Sequence, residues 1–219
     1  MPAPVLSLLY QDDFRVAVDK PSGMAVHRGW SRERYTVLQV LRDQVGRHVF
    51  PVHRLDRATS GALLLAFDSG AARSLQEQFE AGEVRKKYLA LVRGIPPEEG
   101  VIDHPIPRSP EGPRVPAVTG FRRLGTFERY ALLEVIPRTG RLHQIRRHLK
   151  HLSHPLIGDV RYGKGEHNRL FRERFGLHRL ALHALGLEIA RPALRFFAPV
   201  PEDLAGPLRA MGLPVPDSL

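Results

Sequence analysis

Short apolar runs broken by polar turns dominate the N-terminal part of the chain. Val5–Tyr10 and Phe14–Val18 are β-rich and separated only by Gln11-Asp12-Asp13, a break of hairpin length, and Lys20-Pro21-Ser22-Gly23 ends the second run. From Tyr35 to Val45 the apolar residues Val37, Leu38, Leu41 and Val45 recur at steps of one, three and four, which predicts an amphipathic helix closed by Gly46. Val49–Val52 then leads into a charged segment, His53-Arg54-Leu55-Asp56, and 61–67 reads as an almost uninterrupted apolar strand. Asp68-Ser69 is placed to cap a helix over 70–81, stopped by Gly82, with Leu75 and Phe79 on its buried stripe.

The pattern changes further along. Over 86–93 a strand puts Lys86, Tyr88, Ala90 and Val92 on one face and Lys87, Leu89, Leu91 and Arg93 on the other. Residues 95–116 include Pro96, Pro97, Pro105, Pro107, Pro110, Pro113 and Pro116, so many missing backbone donors that a Pro-rich surface loop is expected. Strands resume at 117–124 and 130–136. A helix over 141–152 follows, with Leu142, Ile145, Leu149 and Leu152 as its apolar stripe. A short helix at 168–175, a β-rich segment at 180–189 and a last strand at 195–198 precede a Pro-rich tail. Strands and helices in this mixed order predict an α+β fold rather than a doubly wound parallel sheet, and residues 1–219 are expected to form a single domain.

Charge narrows the functional classes. The net charge is +10, a field that attracts polyanions. No apolar run approaches the roughly 20 residues of a membrane helix, and Met1-Pro2-Ala3-Pro4 does not begin a signal sequence, so a soluble cytoplasmic protein with no membrane partner is expected. The absence of cysteine removes disulfides, thiolate zinc ligands and thiol nucleophiles.

Three constellations could do chemistry. In His53-Arg54-Leu55-Asp56-Arg57-Ala58-Thr59-Ser60-Gly61, an acid lies between two arginines on a loop joining two apolar strands. By itself that pattern describes a structural ion pair better than a catalyst. From Val135 to Gly158 there are Arg138, Arg141, Arg146, Arg147, Lys150 and four histidines but no acid, which is hard to explain by intramolecular pairing and suits phosphate neutralisation or a solvated face. His148, His151 and His154 recur every third residue without a nearby carboxylate, so no metal site is expected. In Arg85-Lys86-Lys87-Tyr88, cations adjoin an aromatic ring able to stack on a base, or to sit in an ordinary core.

Taken together, Val18-Asp19-Lys20-Pro21-Ser22-Gly23, the segment 53–61, Arg85–Ala90, Arg138–Arg146 and Leu182-His183-Ala184 resemble the RluA-type pseudouridine synthases, in order and over most of the chain. The resemblance implies a pseudouridine-synthase-like catalytic domain: a mixed, mainly antiparallel sheet flanked by helices, with the active-site cleft across the sheet. It implies no cofactor and no metal. Asp56 is then the catalytic aspartate, Tyr88 the aromatic residue against the target base, and Arg146 the basic partner of the aspartate. Arg54 corresponds to the residue that holds the vacated helical stack when the uridine is flipped out. Lys86, Lys87, Arg138, Arg141, His143, Arg147 and Lys150 are the expected RNA contacts.

Val26-His27-Arg28, His48-Val49-Phe50, Arg146–Leu152 and Asn168-Arg169-Leu170-Phe171 are similar to the branch of that family acting on uridine 65 of tRNA. The expectation is a monomer with tRNA as partner. An anticodon-loop or ribosomal RNA uridine remains open as substrate, as does a non-catalytic RNA-binding module.

Overall fold

The computed structural model describes residues 4–28, 35–109 and 112–219; Met1-Pro2-Ala3 at the N-terminus and Pro110 of the Pro-rich segment lie outside these. In chain order the elements are β1 (Ser7–Gln11), β2 (Arg15–Lys20), α1 (Val37–Val45), β3 (Phe50–Pro51), β4 (Ser60–Ala66), α2 (Ser69–Glu80), β5 (Val84–Arg93), β6 (Glu99–Asp103), β7 (Ile106–Pro107), β8 (Arg114–Val115), β9 (Val118–Phe127), β10 (Tyr130–Pro137), α3 (Gln144–His151), α4 (Gly165–Phe175), β11 (Leu182–Ile189), β12 (Leu194–Phe197) and α5 (Glu202–Ala210). The chain forms two compact units, residues 1–84 with 184–199 and residues 85–183 with 200–219. Among the described residues no helix is long and apolar enough to cross a membrane.

In the first unit the strand order is β1-β2-β4-β11, with β12 beside β11 and β3 beside β4. β4 is buried along its whole length, as its unbroken run of small and branched residues requires. The antiparallel β2–β4 register pairs Lys20 with Gly61, so the turn after β2 and the loop before β4 emerge at the same end. A Cβ on Gly61, at φ 110°, would collide with the carbonyl of Ala184 on β11, so only glycine permits this approach. α2 starts as expected, with Asp68 accepting from the amide of Ala71. α1 has Thr36 as its cap and Gly46 in the left-handed conformation at its end.

The second unit orders its strands β5-β10-β9-β6, joined by antiparallel ladders. Tyr130 is buried, its hydroxyl bonded to His167 Nδ1 at 2.8 Å and its ring edge-on to Phe171, which docks α4. Three expectations need correction here. Residues 95–116 are not a structureless loop: β6 pairs as an edge strand with β9, and β7 with β8, because the described prolines fall between strands or on their edges. The basic helix begins at Gln144, not 141, since His143 takes a left-handed φ of 54° and cannot continue a helix upstream; Leu142 is therefore 39% exposed instead of part of the stripe. The Pro-rich tail contains α5, whose Leu204, Ala205 and Leu208 are buried even with Pro207 inside the helix. That burial offsets the donor the proline lacks.

Candidate active site

Asp56 occupies the loop between β3 and β4 in the first unit and is half-buried, while Arg54 and Arg57 on either side are exposed. Leu55, 4% exposed, anchors the loop to the core. The amide of Thr59 donates to the Asp56 carbonyl at 3.0 Å and closes a turn. Further bonds stitch this turn to residues 20–24. The Gly23 amide donates to Arg57 O at 2.9 Å, Arg57 Nε donates to Gly23 O at 2.9 Å, and Ser22 Oγ donates to Ala58 O at 2.9 Å.

The centre of the stitching is Lys20, fully buried, whose Nζ donates to Pro21 O at 2.9 Å, Met24 O at 2.7 Å and Arg57 O at 3.1 Å. An ammonium has three donors and survives burial only where acceptors converge, so Lys20 ties three backbone carbonyls from two segments together. His53 supports the loop from the other end: Nε2 accepts the Leu64 amide at 3.0 Å, and the ring stacks on Phe79 at 4.6 Å. The sequence pattern over 18–23 gave Lys20 no task. The missed signal was a lysine closing an apolar strand, where a solvated charge is out of place.

In the second unit, Lys86 and Tyr88 share the inward face of β5, each 9% exposed, whereas Arg85 is exposed and Lys87 half-buried. The alternation anticipated this. Lys86, however, does not face solvent as an RNA contact would: its Nζ donates to Thr139 O at 3.2 Å, and burial lowers its pKa. It supports the turn between β10 and α3.

That turn is organised by Gln144. Its Oε1 accepts from Thr139 Oγ1 at 2.7 Å and the Arg141 amide at 3.0 Å, and its Nε2 donates to Val118 O at 3.0 Å and Thr119 Oγ1 at 2.9 Å. Thr119 Oγ1 donates in turn to His148 Nδ1 at 2.9 Å, and His148 Nε2 donates to His104 O at 2.9 Å. Both nitrogens of the fully buried His148 are thereby used, and His154 Nδ1 bonds Arg93 O at 3.0 Å. Among the described residues no group of three or more potential ligands could hold a metal.

The buried Arg146 meets an acid that lies one residue past the acid-free stretch. Asp159, 1% exposed, takes Arg146 Nε on Oδ2 at 2.7 Å and Nη2 on Oδ1 at 2.9 Å, a fork-on-fork pair. Oδ1 also accepts the amides of Arg161 and Tyr162 at 2.9 and 3.0 Å. Burial alone would raise the Asp159 pKa, but the bonds from Arg146 and from the Tyr162 and Arg161 amides hold it below the ordinary value. Asn168 braces this turn, donating to Asp159 O and accepting from the Gly158 amide. The surplus charge of 135–158 is thus partly balanced by an acid just beyond it. Arg138, Arg141 and Lys150 remain exposed, and Arg147 and His143 half-buried.

Comparison with known proteins gives this arrangement a lineage. The family model described as RNA pseudouridylate synthase matches residues 14–151. The chain is 45% identical to a tRNA pseudouridine synthase C of Vibrio parahaemolyticus, with 87% of each chain covered. It is 45% identical to that of Salmonella typhimurium, covering 86% of this chain and 81% of the relative. Among solved structures, Human RNA Pseudouridylate Synthase Domain Containing 4 superposes with a TM-score of 0.81 at 30% identity, covering 96% of this chain and 95% of that one. Human RNA Pseudouridylate Synthase Domain Containing 1 superposes with a TM-score of 0.78 at 27% identity, covering 99% and 100%. With the matched region spanning more than half of the sequence and such relatives spanning most of it, the chain belongs to the RluA-type RNA pseudouridine synthases.

Proposed function

We propose that this enzyme acts on tRNA, at uridine 65, with Asp56 as its catalytic carboxylate, Tyr88 as the ring that packs on the extruded base and Arg146 as the cation that serves the carboxylate chemistry. The observation that carries the assignment of Asp56 is its setting: a half-buried acid whose turn is fixed by the fully buried Lys20 and by Ser22 and Arg57. Such pre-organisation suits a group that must meet a ribose carbon in one geometry. The tRNA substrate is supported by the names of the relatives at 44–45% identity.

The reaction balances without another reactant. The bond from C1′ to N1 breaks, the uracil turns, C5 bonds to C1′, and the C5 proton is replaced by one on N1. An ionised carboxylate beside the sugar can attack C1′, stabilise the positive charge that develops there, or take a ribose proton. Because a stacked base is out of reach, the uridine leaves the helix first, and exposed Arg54 fills the gap. Arg138, Arg141, His143, Arg147 and Lys150, with Lys87, hold the flanking backbone by charge. We place the enzyme in the cytoplasm as a monomer that needs neither metal nor cofactor.

The test is Asp56→Asn on a transcribed tRNA, read as primer-extension stops after carbodiimide treatment. Pseudouridine formation should fall on the order of 10³-fold while tRNA affinity stays within a few-fold, since only chemistry is removed. Full activity in the variant would overturn the role of Asp56. Mapping pseudouridine in RNA from a deletion strain should show loss at position 65 of tRNA and retention elsewhere; loss at another position would reassign the substrate.

A further inference from the structure

Tyr162 lies three residues past Asp159 and is half-buried. Its hydroxyl accepts from Arg147 Nε at 3.1 Å and bonds His143 Nδ1 at 3.1 Å. Around its ring stand Arg146, with Cζ 5.1 Å from the centroid, Arg161, with Cζ at 5.6 Å, and Lys150, with Nζ at 5.8 Å. Four cations from α3 and the turn after it converge on one uncharged side chain. Arg147 is further fixed by Nη1 donating to Pro107 O at 2.8 Å.

Asp159 balances only one of these charges, and its oxygens are already shared between Arg146 and two backbone amides. Arg147, Lys150 and Arg161 stay as a surplus of positive charge, two of them on exposed residues. Groups this close to one centroid are at most about 12 Å apart, comparable with a Debye length of about 8 Å, so their fields add at one place on the surface. A ring face attracts each cation by only about 0.5 to 1 kcal/mol at an exposed site. That biases the side chains toward the ring, against the roughly 1.5 to 2 kcal/mol of rotamer entropy of a Lys or Arg, and is too little to neutralise them. An anion settling among them gains from all three at once, and part of their ordering, above all that of the doubly bonded Arg147, precedes it.

We propose that Tyr162 is the organising residue of a phosphodiester-binding cluster made by Arg147, Lys150 and Arg161, which grips the RNA backbone. The inference rests on the reading that the substrate is RNA and adds to it the place where a phosphate is held. Tyr162 contributes no charge; it decides where three charges stand.

The experiment measures tRNA affinity against salt, using Asp56→Asn protein so that binding is read without turnover. Each phosphate that the protein no longer neutralises lowers the slope of log Kd against log salt by about 0.7 to 0.9. Arg161→Ala and Lys150→Ala should each lower it by that amount. Tyr162→Leu leaves the net charge untouched, yet should lower the slope by more than either. Tyr162→Phe keeps the ring, removes one of the two bonds that fix Arg147 and should lower it by up to the equivalent of a single phosphate; this milder variant decides the matter if Tyr162→Leu does not fold. Unchanged slopes in Arg161→Ala and Lys150→Ala, or in a folded Tyr162 variant, would overturn the proposal. Should the wild-type protein form no pseudouridine in tRNA while the slope differences persist, the functional reading fails and the cluster stands.

Discussion

The loop of Asp56 and the turn of Asp159 both hold a carboxylate near the core, yet they are built on opposite plans. Around Asp56 the bonds run mainly to backbone carbonyls, with Lys20, Ser22 and Arg57 reaching across to carbonyls of a neighbouring segment. The acid itself is half-buried. Around Asp159 the carboxylate is itself the hub, receiving Arg146 and two amides, and it is almost wholly buried. The first plan fixes the position of a loop through its main chain, whereas the second uses the acid itself to tie a buried arginine to a turn.

The comparison can be broken by substitution. The largest stability effect should come from Asp159→Asn, which removes the charge that Asp159 presents to buried Arg146; a cost of about 3 to 5 kcal/mol in urea unfolding is expected. Because the folded pKa of Asp159 lies below its unfolded value of 3.8, this contribution is complete above that pH and is lost as pH falls through the folded pKa, so the variant and wild type should converge in acid. A cost under about 1 kcal/mol at neutral pH, the range of an exposed pair, would show that the hub is dispensable. Lys20→Met should be next, at about 2 to 4 kcal/mol, since it removes the buried ammonium that three backbone carbonyls share. It should also slow pseudouridine formation on the order of 10²-fold with little change in tRNA affinity, because it loosens only the Asp56 loop. Equal losses in rate and affinity would contradict the division of labour.

A smaller effect sharpens the picture on the second side. His148 has its pKa lowered, by burial first and then by His104 and His151, against an opposing bond to the His104 carbonyl and the charge of Asp103. A folded pKa below 6.5 means that neutral His148 contributes fully above pH 6.5 and ever less as pH falls through the folded value. Stability should therefore decline by at most about 1.4 kcal/mol per pH unit below pH 6.5, and His148→Gln should flatten that decline. An unaltered pH profile in the variant would remove His148 from the account.

Much of this was legible in the sequence because it is written in local patterns. The apolar run of β4, the cap and Gly46 stop of α1, and the Asp68 cap of α2 each depend on residues only a few positions apart. What escaped depends on partners far away in the chain. The place of Lys20 at the end of an apolar strand hints at burial, but its task shows only once Met24 and Arg57 supply carbonyls. Nothing local says that Arg146 meets Asp159 or that Tyr162 draws cations from α3. The start of α3 was misplaced because helical spacing cannot reveal that Gln144 turns back to fasten Thr139 and Val118. β6 was missed because prolines forbid central strands but tolerate an edge.

Gly61 also bears on how the chain is made. Its missing side chain leaves room for Ala184, a residue synthesised more than a hundred positions later. On a ribosome adding about 5 to 20 residues per second, β4 and the loop that carries Asp56 exist for on the order of ten seconds before β11 arrives. During that interval the first unit is an open sheet with an unpaired inner edge. A nascent chain released or stalled before residue 184 would display that edge, and truncated products of this gene should be recruited by chaperones far more readily than the finished enzyme.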